Sequence, residues 1–202
     1  MNSLERDLAG YYDQDAAQRA QRTIDPERVR RREGFVDLLA DEKRSTVLDI
    51  GVGPGIDAAA LQARGLAVTG VDLSLQHTAL SRSLGVRALV ASALHLPFSD
   101  RCFDAAWSMS TLMHIPNRDI DAALVEIKRV MTPGALIALG MWGGNDVENE
   151  HEGDTIEPRR FFSWRSTERV QRMLAALGEI HAMDTWSGDT DPHIYQWFIV
   201  RV

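Results

Sequence analysis

Between Val47 and Gly55 the chain reads Val-Leu-Asp-Ile-Gly-Val-Gly-Pro-Gly. An apolar run breaking into closely spaced glycines is how a strand turns sharply into a helix, with no Cβ to hold a ligand off the backbone. The spacing narrows the ligand. A dinucleotide loop, G-x-G-x-x-G, needs a third Gly or Ala where this chain has Ile56, and the Gly-Lys-Ser/Thr of a P-loop is absent. Asp49 precedes Gly51 by two residues, and Asp72 follows the next apolar run in Gly70-Val71-Asp72-Leu73-Ser74. A carboxylate about twenty residues past such a turn faces the same crevice and suits a ribose diol. Asp72 is also a competent helix N-cap, but Ser74 caps equally well, so the loop upstream favours the ribose role.

Histidine and cysteine offer less. Cys102 is the single cysteine, which forbids an intrachain disulfide; directly before an apolar run it reads as a small, half-buried thiol. Of six histidines, His77 and His95 read as helix-surface and loop residues, and His151 lies in an acidic run. His181 and His193 fall on terminal strands, where Asp191–Tyr195 is a stretch that could reach the substrate side. His114 is the one histidine near the expected mouth of the crevice, as a general base or as a structural residue before Ile115-Pro116. None has metal-ligand spacing with carboxylates, so no metal is expected.

These residues need a scaffold that gathers strand ends. Short apolar runs predict strands over 46–50, 67–71, 86–90, 103–108 and 135–141, alternating with helices over 56–64, 75–84 and 119–130. That alternation makes an α/β fold, a doubly wound parallel sheet covered by helices on both faces. A helix over 166–177 and two strands, 179–186 and 194–202, follow as an antiparallel hairpin at the sheet edge. At the front, Asp25-Pro26-Glu27 starts a helix running to Leu39, whose Arg28, Arg30, Arg31 and Arg32 read as a solvated face. Residues before Thr23 show only weak helical spacing.

The chain has 202 residues, 45% hydrophobic and 25% charged, enough for one core and short for a separate substrate domain. Residues 1–202 are expected as a single domain, with N-terminal helices over 1–40. No apolar stretch nears the ~18 residues of a membrane span, and MNSLERDLAG lacks a signal core, so the expectation is a cytoplasmic protein without a membrane partner. The net charge of −7 argues against nucleic acid. Asp146, Glu148, Glu150, Glu152, Asp154 and Glu157 carry nearly all of that imbalance. With Gly143-Gly144 and Gly153 as hinges, 143–158 is expected to be too acidic to pack as core and to act as a mobile lid.

Taken together, Leu48-Asp49-Ile50-Gly51-Val52-Gly53-Pro54-Gly55, Gly70-Val71-Asp72-Leu73-Ser74, Leu96-Pro97-Phe98, Phe103-Asp104, Leu112-Met113-His114-Ile115 and Glu126–Gly134 resemble the class I S-adenosylmethionine-dependent methyltransferases, particularly the small bacterial kind. The resemblance implies a Rossmann-like seven-stranded sheet of order 3-2-1-4-5-7-6 with strand 7 antiparallel. It implies S-adenosyl-L-methionine as cofactor and S-adenosyl-L-homocysteine as product. Gly51 and Gly53 would make room for the methionine portion, Asp49 would approach its amino end, and Ser108 would border it. Asp72 would accept from both ribose hydroxyls, and Leu73 would pack on adenine. Where members often carry Gly-Asp-Ala beside adenine, this chain has Ala91-Ser92-Ala93, leaving Ser92 and the Ala93 backbone for the amino group. Where many carry His-His, it has Met113-His114.

The segment 142–165 is the variable part and the expected substrate side, and among Phe161, Phe162 and Trp164 at least one should be core and at least one should line the pocket. The function implied is methyl transfer to a small-molecule acceptor. The alternatives are a macromolecular acceptor, or a cofactor-binding partner or sensor without turnover.

Overall fold

A computed structural model of the chain describes residues 1–187 and 193–202. Five strands, β1 (Thr46–Ile50), β2 (Ala67–Asp72), β3 (Arg87–Val90), β4 (Phe103–Met109) and β5 (Met131–Gly143), run parallel, with helices α3 (Ile56–Ala63), α4 (Leu75–Ser83) and α5 (Ile120–Val130) between them. A short hairpin follows, β6 (Val147–Glu150) with β7 (Phe161–Trp164), then α6 (Thr167–Leu174), β8 (Glu179–Ser187) and β9 (Ile194–Arg201). The main sheet has the order β3-β2-β1-β4-β5-β9-β8, with β9 antiparallel to both neighbours. Allowing for the two hairpin strands, this is the expected 3-2-1-4-5-7-6 pattern.

The sheet is covered on both faces because its strands alternate apolar residues to either side. Along β4, Ala105 and Trp107 pack with Phe35, Leu39, Ala58 and Leu61, while Ala106 packs with Ile127, Val130, Val170 and Leu174. Residues 136–139 of β5 and 197–200 of β9 alternate in the same way. The helices α2 (Pro26–Asp41) and α3 thus cover one face, and α5 and α6 the other. Among the described residues no helix is long and apolar enough to cross a membrane.

The structure fills in one expectation and corrects others. The opening segment is a full helix, α1 (Ser3–Arg19), started by a capping box in which Asn2 and Glu5 satisfy each other's backbone N–H. The Arg28–Arg32 group is not simply a solvated face. Arg28 Nε and Arg32 Nη1 donate to the two oxygens of buried Asp57 at 2.7 and 2.9 Å, and Trp107 Nε1 adds a third bond at 3.1 Å. Cys102 is exposed, and His77 is buried.

One member of the acidic segment packs: of its six acids only Asp154 is buried. Asp154 is 8% exposed because Arg160 neutralises it, through Nε and the backbone N–H, both at 2.9 Å, with Tyr11 donating from α1. Burial raises the Asp154 carboxyl, but the Arg160 bonds outweigh it and hold the pKa at about 2. Within the stretch expected to reach the substrate side, Asp191 and Pro192 lie outside the described residues.

Candidate active site

The strand ends β1, β2 and β4, with α1 laid across them, enclose a cleft of about 320 Å³. Its floor is the loop after β1. Gly51 has φ +77°, and a Cβ there would stand 2.0 Å from Thr111 Oγ1, so both backbone and space require glycine. Gly53, at φ +55°, differs: a Cβ would meet no protein atom within 4 Å, so its place on the cleft wall is room left free. Thr111 and Ser108 hydroxyls both donate to the Ile50 carbonyl, at 3.0 and 3.1 Å, tying the ends of β1 and β4 together.

Asp72 closes β2 inside this cleft. Its Oδ2 accepts from Gly53 N and its Oδ1 from Ser74 N, each at 2.9 Å, so the carboxylate holds the glycine loop against the strand end. Capping of α4 falls to Ser74, whose Oγ accepts from His77 N at 3.0 Å while donating to Asp13 of α1 at 2.6 Å. That leaves Asp72 free of the capping duty. Asp49 is 2% exposed behind the loop and does not line the cleft. Burial, reinforced by Asp57 and Asp72, pushes its carboxyl well above the usual range, with Arg28 pulling the other way.

Seven of the nine residues expected at the site line one cleft: Gly51, Gly53, Asp72, Leu73, Ser92, Ala93 and His114. Asp49 and Ser108 sit behind its wall. Ser92 Oγ accepts from Leu94 N at 3.0 Å and donates to Glu5, so a carboxylate from α1 stands where the sequence shows only a hydroxyl.

His114 ends the short 3-10 turn Leu112–His114 and is 5% exposed. Its Nδ1 lies 2.8 Å from the Phe161 carbonyl, which can only accept, so that nitrogen carries the hydrogen. Nε2 then accepts from the Tyr12 hydroxyl at 2.8 Å. Burial lowers the imidazole to a pKa of about 3, and the ring is neutral at pH 7. Buried Arg165 fixes the turn by donating to the carbonyls of Leu112 and Ile115, at 3.1 and 2.6 Å.

The far end of the cleft is aromatic. Tyr195 meets Trp142 edge-on and Trp186 at a tilt, each at 5.0 Å between ring centres, and its hydroxyl lies 3.1 Å from Ser110 Oγ. Ser110 holds φ +57°, a strained conformation for a non-glycine residue, on the cleft wall. Phe162 and Trp164 are core, and none of Phe161, Phe162 or Trp164 lines the cleft, contrary to expectation. Phe162 instead backs His114 at 4.6 Å. Among the described residues, no group of three or more His, Cys, Asp or Glu comes together to hold a metal.

Residues 48–139 match the family described as a methyltransferase domain. The methyltransferase GfsG of Streptomyces halstedii is 34% identical over 113 residues, covering 52% of this chain and 39% of that protein. The O-methyltransferase rstn1 of Aspergillus nomiae is 31% identical over 139 residues, 64% of this chain and 60% of that protein. The chain thus spans roughly two fifths to three fifths of these relatives. Among solved structures, the Burkholderia thailandensis 1,6-didemethyltoxoflavin-N1-methyltransferase, with S-adenosylhomocysteine bound, superposes with a TM-score of 0.74 at 20% identity, over 98% of this chain and 86% of that one. Fold, strand order and motif match converge on a methyltransferase domain over residues 48–139, in the fold shared with solved S-adenosylmethionine-dependent methyltransferases.

Proposed function

We propose that this protein transfers a methyl group from S-adenosyl-L-methionine to a small-molecule acceptor, with S-adenosyl-L-homocysteine as the other product. The observation that carries the reading is Asp72, an acceptor-only group inside the cleft, locked to a glycine loop that leaves Gly53's side open. The surroundings fit the cofactor. Asp72 and the loop would take the ribose and methionine portions, with Leu73 against adenine. Ser92, Ala93 and the Glu5 carboxylate would face an amino group. Arg28 on the cleft wall would supply a cation for the carboxylate of the methionine portion, while Asp49 and Ser108 support the floor from behind.

When bound, S-adenosyl-L-methionine supplies a methyl carbon made electrophilic by the adjacent sulfonium. The chain's task is then to position the acceptor and exclude water. Trp142, Tyr195 and Trp186 would hold a flat or apolar acceptor at the far end. His114 belongs to the site through Tyr12: its Nε2 accepts the phenol hydrogen and fixes the hydroxyl at the cleft wall. A neutral imidazole with both nitrogens engaged supports a positioning role more than that of a free general base. The net charge of −7 favours a small molecule over nucleic acid, and the lone cysteine suits a cytoplasmic setting.

The test is incubation with methyl-labelled S-adenosylmethionine and a metabolite extract, followed by mass spectrometry. Release of S-adenosylhomocysteine together with one methylated small molecule is the expected result. Tight binding without turnover on any extract would mark a sensor, and label recovered only in protein or nucleic acid would move the acceptor to a macromolecule.

A further inference from the structure

His77 stands out among the buried polar groups. It is 2% exposed, it lines the cleft, and neither ring nitrogen has a hydrogen-bond partner. Buried imidazoles are normally satisfied, because desolvating a donor and an acceptor with nothing in return is costly. Its position is not loose. The first turn of α4 is held by Ser74 Oγ on His77 N and by Asp13 on Ser74 Oγ and Gln76 N, and the ring packs against Tyr12 at 5.3 Å. The nearest charged atom is Asp72 Oδ1, 3.5 Å from Nδ1, too far for a good hydrogen bond.

Asp72 explains what such a neighbour could do. An ionised carboxylate only accepts, so a ribose hydroxyl held by it uses its hydrogen and keeps an unfilled acceptor side. An imidazole carries at least one N–H, and that donor can fill the open side. We infer that His77 is a cofactor-binding residue, donating to a ribose hydroxyl that Asp72 holds from the other direction. The inference rests on the proposed cofactor and adds a contact that the glycine loop and Asp72 alone do not provide. It makes α4, as well as the strand ends, part of ribose recognition.

Titration calorimetry with S-adenosylhomocysteine and its 2′-deoxy and 3′-deoxy analogues, on wild type and His77→Phe, tests this. Phenylalanine keeps a ring against Tyr12 and removes both nitrogens. The expected result is a loss of about tenfold for S-adenosylhomocysteine that shrinks below twofold for the analogue lacking the shared hydroxyl. Unchanged affinity, or the same loss for all three ligands, would overturn the inference and return His77 to packing. If His77→Phe does not fold, His77→Met serves the same comparison. Wild type that binds none of the three ligands would instead overturn the proposed cofactor, and this inference with it.

Discussion

Asp72 and Tyr12 line the same cleft, yet they are held there by different means. Asp72 is fixed by its own neighbourhood: Gly53 lies 19 residues away and Ser74 two, on adjoining strand ends. Tyr12 is fixed by His114, 102 residues further along, and His114 by Phe161 from the hairpin beyond. One side of the cleft is thus built by local turn geometry on a parallel sheet. The other is assembled from a helix, a 3-10 turn and a hairpin that meet only after the chain has folded. We read the first as the cofactor side and the second as the acceptor side.

The largest effect should come from the locally built side. Asp72→Ala is expected to weaken S-adenosylhomocysteine ten- to a hundredfold, about 1.5–3 kcal/mol, in calorimetry on a folded variant. An unchanged affinity would leave Asp72 as a loop fastener and erase the distinction between the two sides.

The assembled side should show itself in acid. The folded pKa of His114, about 3, lies below the ~6.5 of an unfolded histidine, so the unfolded chain takes up the proton first. The contribution is intact above pH 6.5 and is lost as pH falls from there toward 3. Denaturant titrations from pH 7 to 5 should show a slope of up to about 1.4 kcal/mol per pH unit that His114→Gln removes. Equal slopes in both proteins would mean the turn is not held by the neutral ring.

Next comes Trp142→Ala. It should raise the acceptor KM about tenfold while cofactor affinity stays within twofold. Loss of both together would show that the sides are energetically one. The smallest effect is expected from Glu5→Gln. Glutamine preserves the capping box with Asn2 but removes the charge beside Ser92, so cofactor affinity should fall about threefold with little change in melting temperature.

The same contrast explains what could be read beforehand. The parallel strands and the Gly51–Asp72 geometry follow from apolar runs and glycine spacing over short distances, whereas the strand order follows from the family resemblance. On α1, Leu4, Glu5, Leu8, Tyr12 and Arg19 share the cleft-facing side at helical spacing. That face is mixed in polarity, so the apolar period that reveals a helix is missing; only the Asn2–Glu5 capping box signals it. His77 lies on a short helix where nothing local marks which side is covered, because Tyr12 of α1 supplies the cover. For a related reason the acidic segment conceals one buried member, Asp154. Its charges suggest repulsion, while Arg160 and Arg165, outside the run or beyond it, neutralise Asp154 and pin the turn.

The central claim is that this cleft is a cofactor site with a separable acceptor side. Calorimetric titration of wild type, Asp72→Ala and Trp142→Ala with S-adenosylhomocysteine tests it most directly. The account predicts one site per chain in wild type, a ten- to hundredfold loss in Asp72→Ala, and wild-type affinity within twofold in Trp142→Ala. No binding by the folded wild-type protein, or equal losses in the two variants, would contradict it.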